Sequence, residues 1–419
     1  MNRRRLLGGL GGLGAGVATG LLGACSTPER LVSLPSRLRG QASFHGMPAG
    51  TRIVLDGSDD ALLARVVSDA LDRELAYVAR EGRSDVDPAS FLAISGGGAN
   101  GAYGAGLLTA WGELGTRPEF KVVTGVSTGA LTAPFAFLGQ AYDRQLEHFY
   151  TDITTSDIMV SRGLLVGLFS DSFYDSAPLL QTIRNVLTPD FVAAIAREYR
   201  DKGRLLVVAT TNLDIQAGIL WNLGAIAASD HPRRAELIAR ILLASASIPG
   251  AFPPVMIDLE ADGERFQEMN VDGGTVAQVV LYPPSISRSS GQVFGDRNRQ
   301  AFQDRQRRLY VIRNSRPGGD FETVDRSTLK IIERALATLI STQGLGDLYQ
   351  LYLLAQRDGI DYNVAYIPQS FTGKPREPFD QMYMRSLYQV GRETMLKGTP
   401  WHKYPPGYDP VPINRRTPA

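Results

Sequence analysis

The chain has 419 residues, enough for one large α/β domain or two smaller ones. A hydrophobic fraction of 43% and a charged fraction of 21% exclude a disordered chain and an integral membrane protein. A net charge of +1 gives no electrostatic basis for binding nucleic acid.

Met1 to Arg5 holds three arginines, and Leu6 to Leu22 is uncharged, apolar and rich in Gly and Ala. Leu22, Gly23 and Ala24 then lead to Cys25, the single cysteine. A basic start, an apolar middle and small residues at the cut are the layout of a signal peptide. The apolar stretch is shorter than the ~20 residues of a bilayer-spanning helix, and its glycines form a helix poorly. The run into Cys25 resembles the lipobox of bacterial lipoproteins. That resemblance implies removal of residues 1–24 and lipid attachment at Cys25, with palmitate among the acyl chains. It places the mature protein in a bacterial cell envelope, and Ser26 favours the outer membrane, facing the periplasm. Loss of the three arginines leaves a mildly acidic body, so acyl chains rather than charge hold it to the membrane.

Residues 25–57, rich in Ser, Pro, Gly and Arg, read as a tether and linker. Residues 58–90 form an N-terminal extension with helical apolar spacing at Leu62, Leu63, Val66, Val67, Leu71, Leu75 and Val78. Phe91 to Ile94 predicts a strand running into Gly96, Gly97, Gly98, Ala99, Asn100 and Gly101, then a small-residue helix to about Leu114. Lys121 to Thr124 predicts a second strand, which enters Gly125, Val126, Ser127, Thr128 and Gly129 before an apolar helix to about Leu138. Further strands are expected at 205–211, 266–271 and 309–313, and helices at 177–186, 233–245 and 327–341. Strands alternating with helices predict an α/β fold, a mainly parallel central sheet with helices on both faces. The apolar segment Met159 to Phe173 reads equally as a lid over an acyl-chain groove or as ordinary core. Residues 399–419 are a proline-rich tail.

Gly125-x-Ser127-x-Gly129 between a strand and a helix is the strongest chemical signal. A nucleophilic serine must project from a sharp turn, and glycines two residues away let neighbouring backbone pass without a Cβ clash. The glycine run from Gly96 offers consecutive N–H donors for the oxyanion of acyl transfer. Gly96-x-Gly98-x-x-Gly101 also matches a dinucleotide fingerprint, but the next strand ends in Val123-Thr124-Gly125 without the acid that would hold a ribose. The chain has four histidines, and none of His45, His148, His231 and His402 sits where a strand would deliver it beside Ser127. Asp272, at a strand end before Gly273 and Gly274, is placed to take the serine proton directly.

These elements resemble, in order, the three motifs of the patatin-like phospholipases: the run Gly96 to Gly101, the elbow Gly125 to Gly129, and Asp272-Gly273-Gly274. Ala244 to Pro254 is similar to a further block of that family, and the resemblance covers about residues 91 to 290. It implies a three-layer architecture related to the α/β-hydrolases, with a catalytic domain over 91–290 and a helix/strand part over 291–398 packing on it. It further implies Ser127 as nucleophile, Asp272 as general base, and an oxyanion hole at Gly96, Gly97 and Gly98. Gly101, Gly125, Gly129, Gly273 and Gly274 would be motif glycines, and no metal or other cofactor is implied. The substrate would be an acyl ester of phospholipid or lysophospholipid at a membrane surface. One departure stands out: the family's glycine motif usually carries Arg or Lys where this chain has Asn100. Two other functions compete: an esterase for small esters with a triad of Ser127, His402 and an acid, and a non-catalytic envelope lipoprotein that binds lipid or a partner.

Overall fold

The computed structural model describes residues 29–83, 86–163, 170–282, 305–319, 321, 323–398 and 400–410. The expected signal segment and Cys25 lie outside the described residues, as do residues 411–419 of the tail. Strand β1 (Arg52–Val54) and helix α1 (Asp60–Arg80) come first. They are followed by β2 (Ala89–Ile94), α2 (Gly101–Glu113), β3 (Phe120–Val126) and α3 (Thr128–Leu138). Next are α4 (Asp143–Thr151), α5 (Thr155–Ile158), and a ribbon of β4 (Val160–Ser161) and β5 (Tyr174–Asp175). Helices α6 (Ala177–Val186) and α7 (Pro189–Lys202) lead to β6 (Leu205–Asn212) and β7 (Ala217–Asn222). Helices α8 (Leu223–Ala228) and α9 (Arg234–Ser245) precede β8 (Val255–Ala261) and β9 (Glu264–Asp272). The described chain closes with β10 (Arg307–Arg313), α10 (Thr328–Asp358), β11 (Asp361–Tyr366) and α11 (Gln381–Leu396).

Five strands, in the order β11, β10, β2, β3 and β6, are parallel throughout. β7 and then β1 extend this sheet antiparallel beyond β6, while β9 pairs antiparallel with the end of β6 and β8 with β9. Because successive strand side chains face opposite ways, one strand feeds two cores. Leu92, Ile94, Leu206, Val208 and Ile312 enter the larger core. Ala93, Leu309 and Val311 face a second core under α10, and Val126, Ala209 and Leu220 face a third under α1. The result is the expected three-layer sandwich: helices cover both faces of one mixed, centrally parallel sheet.

Three expectations need correction. Residues 29–57 are not a free tether. Leu34, Leu38 and Phe44 are buried in the main core, Arg30 pairs with Asp214 at 2.7 Å, and Ser43 bridges Glu260 on β8. Helix α10 does not stop at Ser341 but continues to Asp358. Gly344 and Gly346 each weaken a helix by about 1 kcal/mol, and the burial of Leu348, Leu351, Tyr352 and Ala355 against the sheet outweighs that. β1, β7, β8 and β11 were not expected, although Val255, Ile257, Leu259 and Ala261 alternate with polar neighbours as a half-buried strand should.

Helices α2 and α11 approach through glycines. A Cβ on Gly106 would overlap the carbonyl of Tyr388, and one on Gly391 would overlap the carbonyl of Tyr103. This contact carries the C-terminal helix onto the one that follows the glycine run. Gly391→Leu is therefore expected to destabilise the protein by about 1–3 kcal/mol, read as a lower denaturant midpoint with an unchanged slope.

Candidate active site

Ser127 lies between the last residue of β3 and the first of α3, with φ 55 and ψ −125. A non-glycine residue rarely holds a positive φ of this kind, so the turn is strained and the surroundings must hold it. Gly125 and Gly129 make the holding possible. A Cβ on Gly125 would run into the Gly129 carbonyl, and one on Gly129 into the Ile94 carbonyl. The Ser127 N–H donates to Ser245 Oγ at 3.0 Å, and the Ser245 hydroxyl donates to the Ala209 carbonyl at 2.7 Å. The positive end of α3 begins directly after Ser127.

Asp272 reaches the same point because β6 changes neighbours. β3 pairs with β6 as far as Val126 opposite Ala209. At the next residue, Thr210, the partner is Asp272 at the end of β9. Ser127 follows Val126, so both residues come to the wall of one cavity, near enough for the Ser127 hydroxyl to lower the pKa of the Asp272 carboxyl. Asp272 is held further by Gly274 N–H on Oδ1 at 2.7 Å and by its own N–H on the Ser247 carbonyl at 2.8 Å. Burial pushes its carboxyl up to about 6, against the lowering effect of the nearby Ser127 hydroxyl and the Gly274 amide. Gly273 is small because its Cβ would meet the Ala209 carbonyl.

The glycine run wraps over Ser127. A Cβ on Gly96 would come within 3.1 Å of the Ser127 Cβ, and one on Gly101 would overlap the Thr128 hydroxyl. Gly96 is corrected as an oxyanion donor: its N–H is already given to the Gln278 carbonyl at 3.1 Å. The amides of Gly97 and Gly98 have no backbone acceptor among the described residues, and both residues have positive φ, 154 and 55. Gln278 also donates from Nε2 to the Gly274 carbonyl at 2.9 Å, and so ties this run to the turn after Asp272. Asn100 is neutral, and its Oδ1 accepts from the Tyr383 hydroxyl of α11 at 2.6 Å.

Sequence reading gave no role to Ser245, Ser247, Gln278 or Asn314. The first two lie in the Ala244 to Pro254 block, which carried a signal. Asn314, fully buried after β10, carried none. Its N–H donates to Ser95 Oγ at 2.9 Å, its Nδ2 to the Ser95 carbonyl at 3.0 Å, and its Oδ1 accepts from Gly104 N–H at 3.1 Å. These bonds hold the start of the glycine run to β10.

All of this opens on a cavity of about 800 Å³, lined by Ser127, Asp272, Gly96, Gly97, Gly98 and Asn100 together with apolar residues such as Ile248, Leu336 and Ile340. Ser161, Gly163, Phe173 and Tyr174, from the ends of the segment read as lid or core, also line it; 164–169 lie outside the described residues. No histidine lines the cavity. His402 instead stacks on Tyr366 of edge strand β11, 4.7 Å between ring centres, which removes it as the base of a triad with Ser127. His148 is exposed on α4, and the rings of His45 and His231 lie 5.8 Å apart beside each other. Among the described residues no group of His, Cys, Asp or Glu is arranged to hold a metal ion, and no helix is long and apolar enough to cross a membrane.

Residues 92–283 match the family model described as patatin-like phospholipase, which supports a patatin-like domain and, at that level, a lipid-acting hydrolase. No curated protein matches the chain. Among solved structures, VipD from Legionella pneumophila is 12% identical with a TM-score of 0.36, over 74% of this chain and 67% of that one. Human GIVD cytosolic phospholipase A2 is 13% identical with a TM-score of 0.29, over 82% of this chain and 57% of that one. The type III effector protein ExoU is 14% identical with a TM-score of 0.25, over 75% and 54%. The chain thus spans between about half and two thirds of the length of these structures, and the likenesses are too distant to bear on the site.

A carboxyl whose folded pKa is raised from about 3.9 to about 6 favours the folded state while it is protonated. That contribution is complete below about pH 4 and is lost as pH rises through 6. At pH 7 the charged, buried Asp272 therefore strains the fold. Asp272→Asn, which keeps the shape and removes the charge, is expected to stabilise the protein at pH 7 by about 1–3 kcal/mol. The gain should vanish near pH 4, as measured by chemical denaturation at both pH values.

Proposed function

We propose that this chain hydrolyses acyl esters of lipids, phospholipid or lysophospholipid, through Ser127 and Asp272. The observation that carries the reading is the meeting of a serine on a strained strand-to-helix turn and a buried carboxylate in the wall of one large, mostly apolar cavity. In this reading Ser127 Oγ attacks the ester carbonyl carbon while its proton passes to Asp272. The carbonyl oxygen, now negative, accepts from the Gly97 and Gly98 amides, which have no other backbone partner among the described residues. Collapse of the tetrahedral intermediate breaks the bond to the alcohol, which leaves with the proton from Asp272. Asp272 then takes a proton from water, the hydroxide attacks the acyl-enzyme, and Asp272 returns the proton to Ser127 Oγ as the bond to the fatty acid breaks.

Ser245 and Ser247 serve this chemistry by position: one fixes the backbone of the nucleophile, the other that of the base. Export and lipid attachment at Cys25, in a bacterial envelope, belong to the same proposal and rest on the sequence of residues 1–26 alone. A membrane-tethered body would present the cavity to its substrate without needing a charged surface.

Ser127→Ala and Asp272→Asn are each expected to lower turnover of a micellar phospholipid ~10³-fold or more, with folding preserved by circular dichroism. His402→Ala should change it by less than about twofold, since that ring is remote from the site. Retained activity in the Ser127 variant would overturn the nucleophile assignment. The wild-type kcat/KM should rise with pH and level off above about 6, as Asp272 loses its proton and becomes a base. A profile flat between pH 5 and 7 would remove Asp272 from that role.

A further inference from the structure

Arg313, the last residue of β10, is 3% exposed. Its Nε donates to Ser315 Oγ at 2.6 Å, and its Nη2 donates to the Ser341 carbonyl on α10 at 3.2 Å. Its Nη1 is buried and has no hydrogen-bond partner among the described residues. The carboxylate whose charge reaches it, Asp347, accepts on Oδ2 from the amides of Gln278 at 2.7 Å and Val279 at 3.4 Å. A buried guanidinium with an unpaired N–H and no ion pair among the described residues is costly and is seldom kept without a use. This one lines the same cavity as Ser127 and Asp272, whose other walls include Phe173, Ile248 and Leu336.

We infer that Arg313 is the head-group site of this cavity and binds the phosphate of an acyl-bearing lipid through its guanidinium, whose buried Nη1 is unpaired among the described residues. Two features select the phosphate. The planar fork of arginine suits an oxyanion with several acceptor oxygens. Further, in the hydrolase reading, on which this inference rests for its substrate, the scissile ester carbonyl occupies the space at Ser127. An anion at Arg313 must then be a separate group of the same molecule, which a neutral glyceride lacks and a phospholipid or lysophospholipid has. The glycine run supplies no competing cation, since Asn100 is neutral and its Oδ1 is held by Tyr383. Arg313 is thereby the residue that separates phosphate-bearing from neutral acyl esters.

Binding is tested without turnover in the full chain carrying Ser127→Ala. Hexadecylphosphocholine and uncharged 1-O-hexadecylglycerol are titrated below their aggregation concentrations, with sn-glycerol 3-phosphate and hexadecanoate as separate arms. The phosphate lipid is expected to bind at least about tenfold more tightly than the neutral ether. Adding Arg313→Gln or Arg313→Met should abolish that difference while leaving the ether unchanged. The Met variant removes the buried charge at similar volume, so it answers the question even if the Gln variant folds poorly. Equal affinities in the parent, or a preference that survives both substitutions, overturn the inference. So does an Arg313-dependent site that takes glycerol 3-phosphate as tightly as the phosphate lipid, or that responds to hexadecanoate alone.

With Ser127 restored, the Arg313 variants should lose at least about tenfold in kcat/KM on lysophosphatidylcholine and under twofold on monoacylglycerol. An equal loss on both would mean a structural role through Ser341. A wild type that cleaves neither lipid would end the hydrolase reading while leaving the binding comparison intact.

Discussion

Strand β6 has β3 beside it up to Ala209 and β9 beside it from Thr210 onward. A sheet strand offers one row of N–H and C=O groups on each edge, so two neighbours can share an edge only if one ends where the other begins. Here the first neighbour ends in Val126, just before Ser127, and the second ends in Asp272. The chain therefore delivers a hydroxyl and a carboxylate to the same gap from opposite directions. The Ser245 hydroxyl closes the gap from below by bonding both the Ser127 N–H and the Ala209 carbonyl. Antiparallel β9, grafted onto an otherwise parallel core, is what brings the carboxylate to the serine.

The site is built against stability in two places. Ser127 holds a strained backbone, and Asp272 is a carboxylate whose burial raises its proton affinity to about the value a base near neutrality needs. Both are tolerated because the surroundings are stiff: glycines that admit backbone contacts no side chain would allow, and large cores on both faces of the sheet. A softer scaffold would relax the turn and separate the pair.

Much of the frame around the cavity comes from outside residues 92–283. Asn314 and Arg313 follow or end β10, α10 contributes Leu336, Ile340 and Ser341 to the wall, and Tyr383 on α11 holds Asn100. The glycine contact between α2 and α11 fixes the last of these. β10, α10 and α11 thus do more than pack on the rest of the fold, since they help wall the cavity and supply its buried Arg313.

The sequence by itself determined the local chemistry. Gly125 to Gly129 lies between an apolar strand and an apolar helix, and such a turn has few conformations. The glycine run from Gly96 must follow its strand, and Asp272 must end one. Those features depend on neighbours within a few residues, where sterics and hydrogen bonding are decided locally. Layered α/β architecture was legible for the same reason, through alternating periods of apolar residues. What only the tertiary structure decided was which groups remain unpaired. Gly96 loses its amide to Gln278, Asn314 takes hold of the glycine run, and Arg313 is buried with one nitrogen unpaired among the described residues. Residues 29–57 likewise became part of the body because Leu34, Leu38 and Phe44 found core to fill. Each of these outcomes is a competition between partners distant in sequence, and its winner is set by the register of strands and the close approach of helices.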